Sequence, residues 1–333
     1  MRVVSIVANR VCLLFFMCLI VPGLLVASGA DNAEGDSSGQ PDEQETYTRW
    51  NMSLDEIAME LSNPVTALRS ISLDSEYRMY QGDLPGSGDW DAWIHPIKIS
   101  FPFQLNNGKN ILVRATVPIY QDQPTWVVDF GHPIWEVDRD YAEWLLRQSP
   151  QITADTGQFK AGHDHLADVS FDVAYGGVSD SGFISMYGIA TVLSTSQDIN
   201  SSRNQTLLGP EFAFGKRSDW GVIGAWATHL TDVEGDKSFS TNETSVQVFF
   251  AYGLSHGWQI ISNTTILYDW EADGGNELLL PIGAGLAKTI SIGHMPMKMA
   301  FEIQNYVVSP DRFGPEWLLK ISFTPVISNL FSK

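Results

Sequence analysis

From residue 67 to residue 326 the chain alternates apolar and polar side chains with a period of two, in segments too long for an ordinary soluble sheet. Twelve such segments fall near 67–80, 90–104, 109–121, 166–176, 182–193, 206–216, 219–231, 243–254, 257–270, 277–290, 295–308 and 315–326. Soluble strands average about five or six residues, whereas a tilted strand crossing a bilayer needs about nine to eleven. The connections add a second constraint. After even-numbered segments they are short: "NNGK", "GGVSDSG", "RSD", "SHG" and "GHM". After odd-numbered segments they are generally longer and rich in Gly, Asp, Asn and Ser, as in "GDLPGSGD", "STSQDINSSRNQ" and "DVEGDKSFSTN". Short turns at one end and long loops at the other are the pattern of a transmembrane β-barrel.

Each strand can be assigned two faces. Near 257–270, Trp258, Ile260, Ile266, Tyr268 and Trp270 share one face, while Gln259, Asn263, Thr265 and Asp269 share the other. Near 295–308, Met297, Met299, Phe301 and Ile303 oppose Lys298, Glu302 and Gln304. Near 315–326, Trp317, Leu319, Ile321 and Phe323 oppose Lys320, Ser322 and Thr324. A soluble sandwich would turn the apolar face inward; a membrane barrel turns it toward lipid and keeps a polar interior. The strand lengths, the one-sided loops and the aromatics near strand ends favour the barrel. Trp93, Trp258, Tyr268, Trp270 and Trp317 are the expected interfacial girdle, where amphipathic rings belong. The expected fold is all-β: a transmembrane antiparallel up-and-down barrel of about twelve strands, preceded by a short periplasmic helix. Closure pairs every backbone group, which lipid cannot do.

The remaining segments fit an exported protein. Residues 1–30 carry Arg2 and Arg10 before the apolar run "VCLLFFMCLIVPGLLVA" and the small residues "ASGA", the composition of a cleaved signal peptide. Both cysteines, Cys12 and Cys18, lie in it, so the mature chain has no thiol chemistry. Residues 31–65 read as an acidic disordered leader and a short helix. Ser53 and Glu56 make a capping box, and Asn63-Pro64 ends the helix. That helix is expected to be a tether beneath the barrel mouth, with a plug as the alternative. Residues 66–327 form the barrel, and 122–164 a long extracellular loop that could act as a gate, with a helix beginning near Pro133. Asp and Glu outnumber Lys and Arg 39 to 20, for a formal charge of −19, and no basic patch stands out. A nucleic-acid partner is therefore not expected.

The stretches "LSNPVTALRSISLDSEYRMY", "PIKISFPFQL", "ILVRATVPIY" and "LADVSFDVAYG" resemble a family of bacterial outer-membrane β-barrel transporters. Members are often misannotated "neuromedin U" and are related to barrels of the meta pathway of phenol degradation. The later stretches "LLGPEFAFGKRSDWGVIGAWATHL", "LLLPIGAGLAKTISIGHMPMKMAFEIQNYVVSPD" and "GPEWLLKISFTPV" extend the resemblance over about residues 60 to 326. It implies a Gram-negative outer-membrane location and passage of small molecules, apolar or aromatic ones by family analogy. The partners implied are outer-membrane lipid, an unidentified solute and the barrel-assembly machinery, for which Phe331 or Phe323 could serve as the C-terminal aromatic signal.

The inward charges are the candidate site. Lys98, Arg114, Lys298 and Lys320 with Asp168, Asp172, Glu211, Asp269 and Glu302 would line the path. Rings of charge select solutes in pores; the same groups could equally pair across a filled barrel. His163, Asp164, His165 and Asp168 match no metal-binding spacing, and no metal or cofactor is expected. His229, His256 and His294 leave room for a lipid-active barrel enzyme as a rival function, without a Gly-x-Ser-x-Gly element to support it. A structural or surface-binding barrel with a blocked lumen is the third reading.

Overall fold

A computed structural model describes residues 52–128, 157–162, 164–196, 203–293 and 295–327. The expected signal peptide and leader, the helix expected near Pro133, His163, His294 and Phe331 lie outside the described residues. The barrel strands are β1 (Ser70–Gln81), β2 (Asp91–Gln104), β3 (Asn110–Gln121), β4 (Val169–Val178), β5 (Phe183–Leu193), β6 (Gln205–Ser218), β7 (Gly221–Gly235), β8 (Asn242–Ser255), β9 (Trp258–Asp269), β10 (Leu278–Ile292), β11 (Met295–Val308) and β12 (Gly314–Pro325). Each pairs antiparallel with its sequence neighbours, and β12 returns to β1 in register from Leu73↔Phe323 to Gln81↔Gly314. The sheet is a closed twelve-stranded barrel without edges. No described helix is long and apolar enough to span a bilayer.

The pattern of burial is inverted relative to a soluble protein. Phe212, Phe214, Tyr187, Ile189 and Ile282 are more than half exposed, while Glu211, Gln259, Glu302 and Gln304 are buried. The apolar band faces lipid and the polar face points inward. The β8–β9 turn shows how sequence fixes register: Ser255 opposes Trp258, leaving a two-residue loop in which His256 and Gly257 both take positive φ (51° and 76°). That matches a primed hairpin turn.

Two elements depart from expectation. Strand β4 starts at Val169 rather than near 166. The pair His165–Leu166 joins β3 separately, and Asp168 interrupts the ladder by accepting from the Thr195 and Ser196 amides. More important, the helix α1 (Leu54–Glu60) and the segment after it do not merely tether the barrel from below. The capping box of Ser53 and Glu56 forms as expected (3.2 Å and 2.6 Å). Beyond α1 the chain enters the lumen at the short-turn end. There Val65 packs with Leu112, Ala174, Ile184, Met186, Ala213, Val222, Phe249, Ala251 and Ile261, an apolar core inside the barrel. The wall supplies small and aliphatic inward residues at this level, so the plug has a dry seat.

Candidate functional site

Residues 54–66 form a plug held by side chains from around the barrel. Asn110 Nδ2 donates to the Val65 carbonyl (2.9 Å), and Lys298 Nζ donates to Ser62 Oγ (2.6 Å). Ser62 Oγ lies 3.1 Å from Gln259 Oε1 and 3.0 Å from the Ala58 carbonyl. Arg217 pairs with Glu60, and the Gly257 amide donates to Asp55.

The inward charges gather in three clusters rather than in one ring. On β1, β2 and β12, Asp74 receives Lys98 (2.9 Å) and Lys320 (3.3 Å), while Glu76 receives Arg78 (2.7 Å). On β3, β4 and β6, Arg114 donates to Asp172 (2.7 Å) and to Glu211 (3.0 Å). The second reach spans β5, whose residues at this level are Gly188 and Ala190. Trp226 Nε1 donates to Glu211 (3.0 Å), and the Arg114 guanidinium lies 3.8 Å from the Trp226 ring centroid. On β9, β10 and β11, Glu302 and Lys298 meet the plug and the wall.

This third cluster marks a break in the barrel. The β9–β10 ladder runs from Trp258↔Lys288 to Ile261↔Gly285, stops, and resumes at Leu267↔Leu279. Within the gap, β11 reaches over β10 to serve β9. Glu302 Oε1 accepts from the Asn263 amide (2.8 Å), Glu302 Oε2 from Asn263 Nδ2 (3.2 Å), and Gln304 Nε2 donates to the Asn263 carbonyl (3.2 Å). Gly285 and Gly283 permit the crossing: a Cβ at either would fall 2.6 Å from the Cγ of Glu302 or Gln304. Ser262 Oγ donates to the Gly283 carbonyl (2.7 Å), so side chains stitch what backbone leaves open. A lumenal cavity of about 180 Å³ abuts this seam, lined in part by Asn263, Phe249, Trp226 and the plug.

Other expected residues fall elsewhere. Asp269 ends β9 and accepts from the Glu271 amide (3.0 Å), at the long-loop rim. Asp168, expected in the lumen, instead accepts from the Thr195, Ser196 and Arg203 amides, because the break before β4 carries it out of the strand period. Trp93, Trp317, Tyr268 and Trp270 lie toward the long-loop ends of their strands, Tyr268 and Trp270 in mutual contact (4.6 Å). Trp258 lies at the short-turn end with Lys288 Nζ 5.0 Å from its ring. Trp220, not anticipated, joins that lower belt against Tyr252. At the base of the long loop, Pro124–Val128 pairs with Gly157–Ala161, and Phe159 packs against Phe313 (4.6 Å) and Trp126 (4.7 Å). His229 bonds Thr244 (2.9 Å). Another pair was not anticipated from the sequence: His95 Nδ1 lies 3.0 Å from Ser75 Oγ on the outer face.

No family model matches the chain, and no curated protein matches it in sequence. Among solved structures it is similar in fold to an outer-membrane channel from Pseudomonas putida F1 (TM-score 0.53, 9% identity, 80% of this chain and 98% of that one). Lower likenesses include a deletion mutant of the TodX monoaromatic hydrocarbon channel (TM-score 0.43, 8% identity, 80% and 93%) and the outer-membrane phospholipase A of Escherichia coli (TM-score 0.36, 10% identity, 81% and 98%). The architecture is that of an outer-membrane β-barrel.

Proposed function

We propose that this chain is a passive, plug-gated channel of the bacterial outer membrane for small apolar molecules. The observation that carries the reading is the seam. The lumenal cavity has Asn263 in its wall, and Asn263 sits where β9 and β10 share no backbone ladder. An apolar solute that reaches this cavity has a short route through side chains into lipid, where it is most soluble. The plug closes the periplasmic end. Its anchors are hydrogen bonds and ion pairs, each worth about 1 kcal/mol net, so the closure is reversible. The barrel fold shared with the Pseudomonas putida F1 channel is in keeping with this role.

A lipid-active enzyme is the second reading, favoured by the Ser75–His95 contact on the outer face. Among the described residues, no hydrogen bond orients the other ring nitrogen of His95, as the third member of a triad would. The two readings separate in Gram-negative cells carrying the barrel. The channel predicts faster entry of the apolar dye N-phenylnaphthylamine than in cells lacking it; equal entry would sink the proposal. Phospholipid hydrolysis by the purified barrel, lost in Ser75→Ala, would support the enzyme instead.

A further inference from the structure

Among the described residues Lys298 is an inward cation with no direct ion pair; Glu302, the carboxylate whose charge reaches it, lies beyond ion-pair distance. It is 8% exposed, and among the described residues no carboxylate lies within ion-pair distance of its Nζ. Among the described residues its one hydrogen bond is to Ser62 Oγ. Glu302, four residues along the same strand face, uses both oxygens on Asn263. The inward cations Lys98, Arg114 and Lys320, by contrast, each meet at least one carboxylate.

Polar groups near Lys298 are incompletely satisfied. Thr289 lies directly opposite it on β10, and among the described residues Thr289 Oγ1 is buried without a hydrogen-bond partner. Gln259, which shares the Ser62 hydroxyl with Lys298, is 1% exposed, and among the described residues its Nε2 is likewise unpartnered. Exchanging the amide oxygen and nitrogen of Gln259 would still leave one of them unpaired. A buried charge is costly unless paired.

We propose that the cavity in front of Lys298 binds a small organic anion with an apolar body, and that Lys298 holds its carboxylate. The cavity measures about 180 Å³. An engineered apolar cavity of roughly 150 Å³ holds one benzene ring, so a single ring or a short alkyl chain fits. Trp226, Phe249 and Ile261 supply the apolar wall, and Gln247 and Asn263 add polar groups beside the Lys298 ammonium. The site rests on the channel reading in one respect: it narrows the solute from apolar molecules in general to amphipathic acids that can pause at the plug.

The test is equilibrium binding to the whole mature barrel in detergent, read by saturation-transfer NMR with benzoate and with benzyl alcohol as its uncharged counterpart. Benzoate should bind more tightly than benzyl alcohol. Lys298→Met should weaken benzoate about tenfold, the loss of one charged hydrogen bond, and leave benzyl alcohol unchanged. Equal binding of the two ligands, or undiminished benzoate binding by Lys298→Met, overturns the proposal. If Lys298→Met does not fold, Ile261→Phe fills the cavity with Lys298 in place; it should lose benzoate, and retained binding overturns the site. Because binding is measured without flux, a barrel that conducts but ignores benzoate refutes this site alone. One that binds benzoate but admits no solute refutes the channel alone.

Discussion

The backbone amide of Asn263 on β9 donates to a side chain two strands away, Glu302 Oε1 on β11, at 2.8 Å. In an unbroken barrel that amide would face its neighbour β10. Glu302 instead passes over Gly285 and completes the wall from inside. The arrangement makes a local opening compatible with the rule that buried backbone groups be paired.

Removing the carboxylate should therefore cost more than removing a surface charge. Glu302→Ala leaves the Asn263 amide unpaired in the wall and should lower stability by about 1–3 kcal/mol. Glu302→Gln keeps an acceptor and should stay closer to wild type. Urea unfolding of the barrel in micelles checks both; equal midpoints for the two variants would show that the bond is not needed.

The glycines of β10 matter for the space they leave. A Cβ on Gly285 would meet the Phe301 carbonyl at 2.0 Å as well as Glu302, whereas one on Gly274 meets nothing within 4 Å. Gly285→Ala should cost about 1–3 kcal/mol by overpacking, and Gly274→Ala should fall within about 0.5 kcal/mol of wild type. The same unfolding measurement compares them.

The gap itself is open to chemical test, because Cys12 and Cys18 precede the barrel. Ile260 and Leu286 are ladder partners, whereas Thr264 and Ile282 would be partners only if the ladder continued. Disulfides require Cα atoms closer than about 7 Å. Ile260→Cys with Leu286→Cys should oxidise readily, and Thr264→Cys with Ile282→Cys slowly. Equal rates would mean that β9 and β10 stay together.

Much of this architecture was legible in the period of two. The alternation in β9, β11 and β12 placed Gln259, Glu302 and Lys320 opposite Ile260, Ile303 and Leu319, and the structure keeps those faces. The Ser255-His256-Gly257 break gave the hairpin. Alternation reports a residue's face and nothing about its reach. Arg114 meets Glu211 across β5, whose inward residues there are Gly188 and Ala190, and Glu302 meets Asn263 across Gly285, where a Cβ would collide with it. The inward pair Gly283 and Gly285 was the available signal for the seam, visible as "IGAGL" but silent until its neighbours are known. The plug escaped for a related reason: Val65 follows Asn63-Pro64, where local pattern predicts a helix end but not where the chain goes next.

Gating by the plug is the central claim, and planar-bilayer conductance tests it most directly. The mature chain should show small, infrequent openings, and the same barrel lacking residues 52–66 should show a steady and larger conductance. Equal conductance from the two inserted barrels would contradict the account.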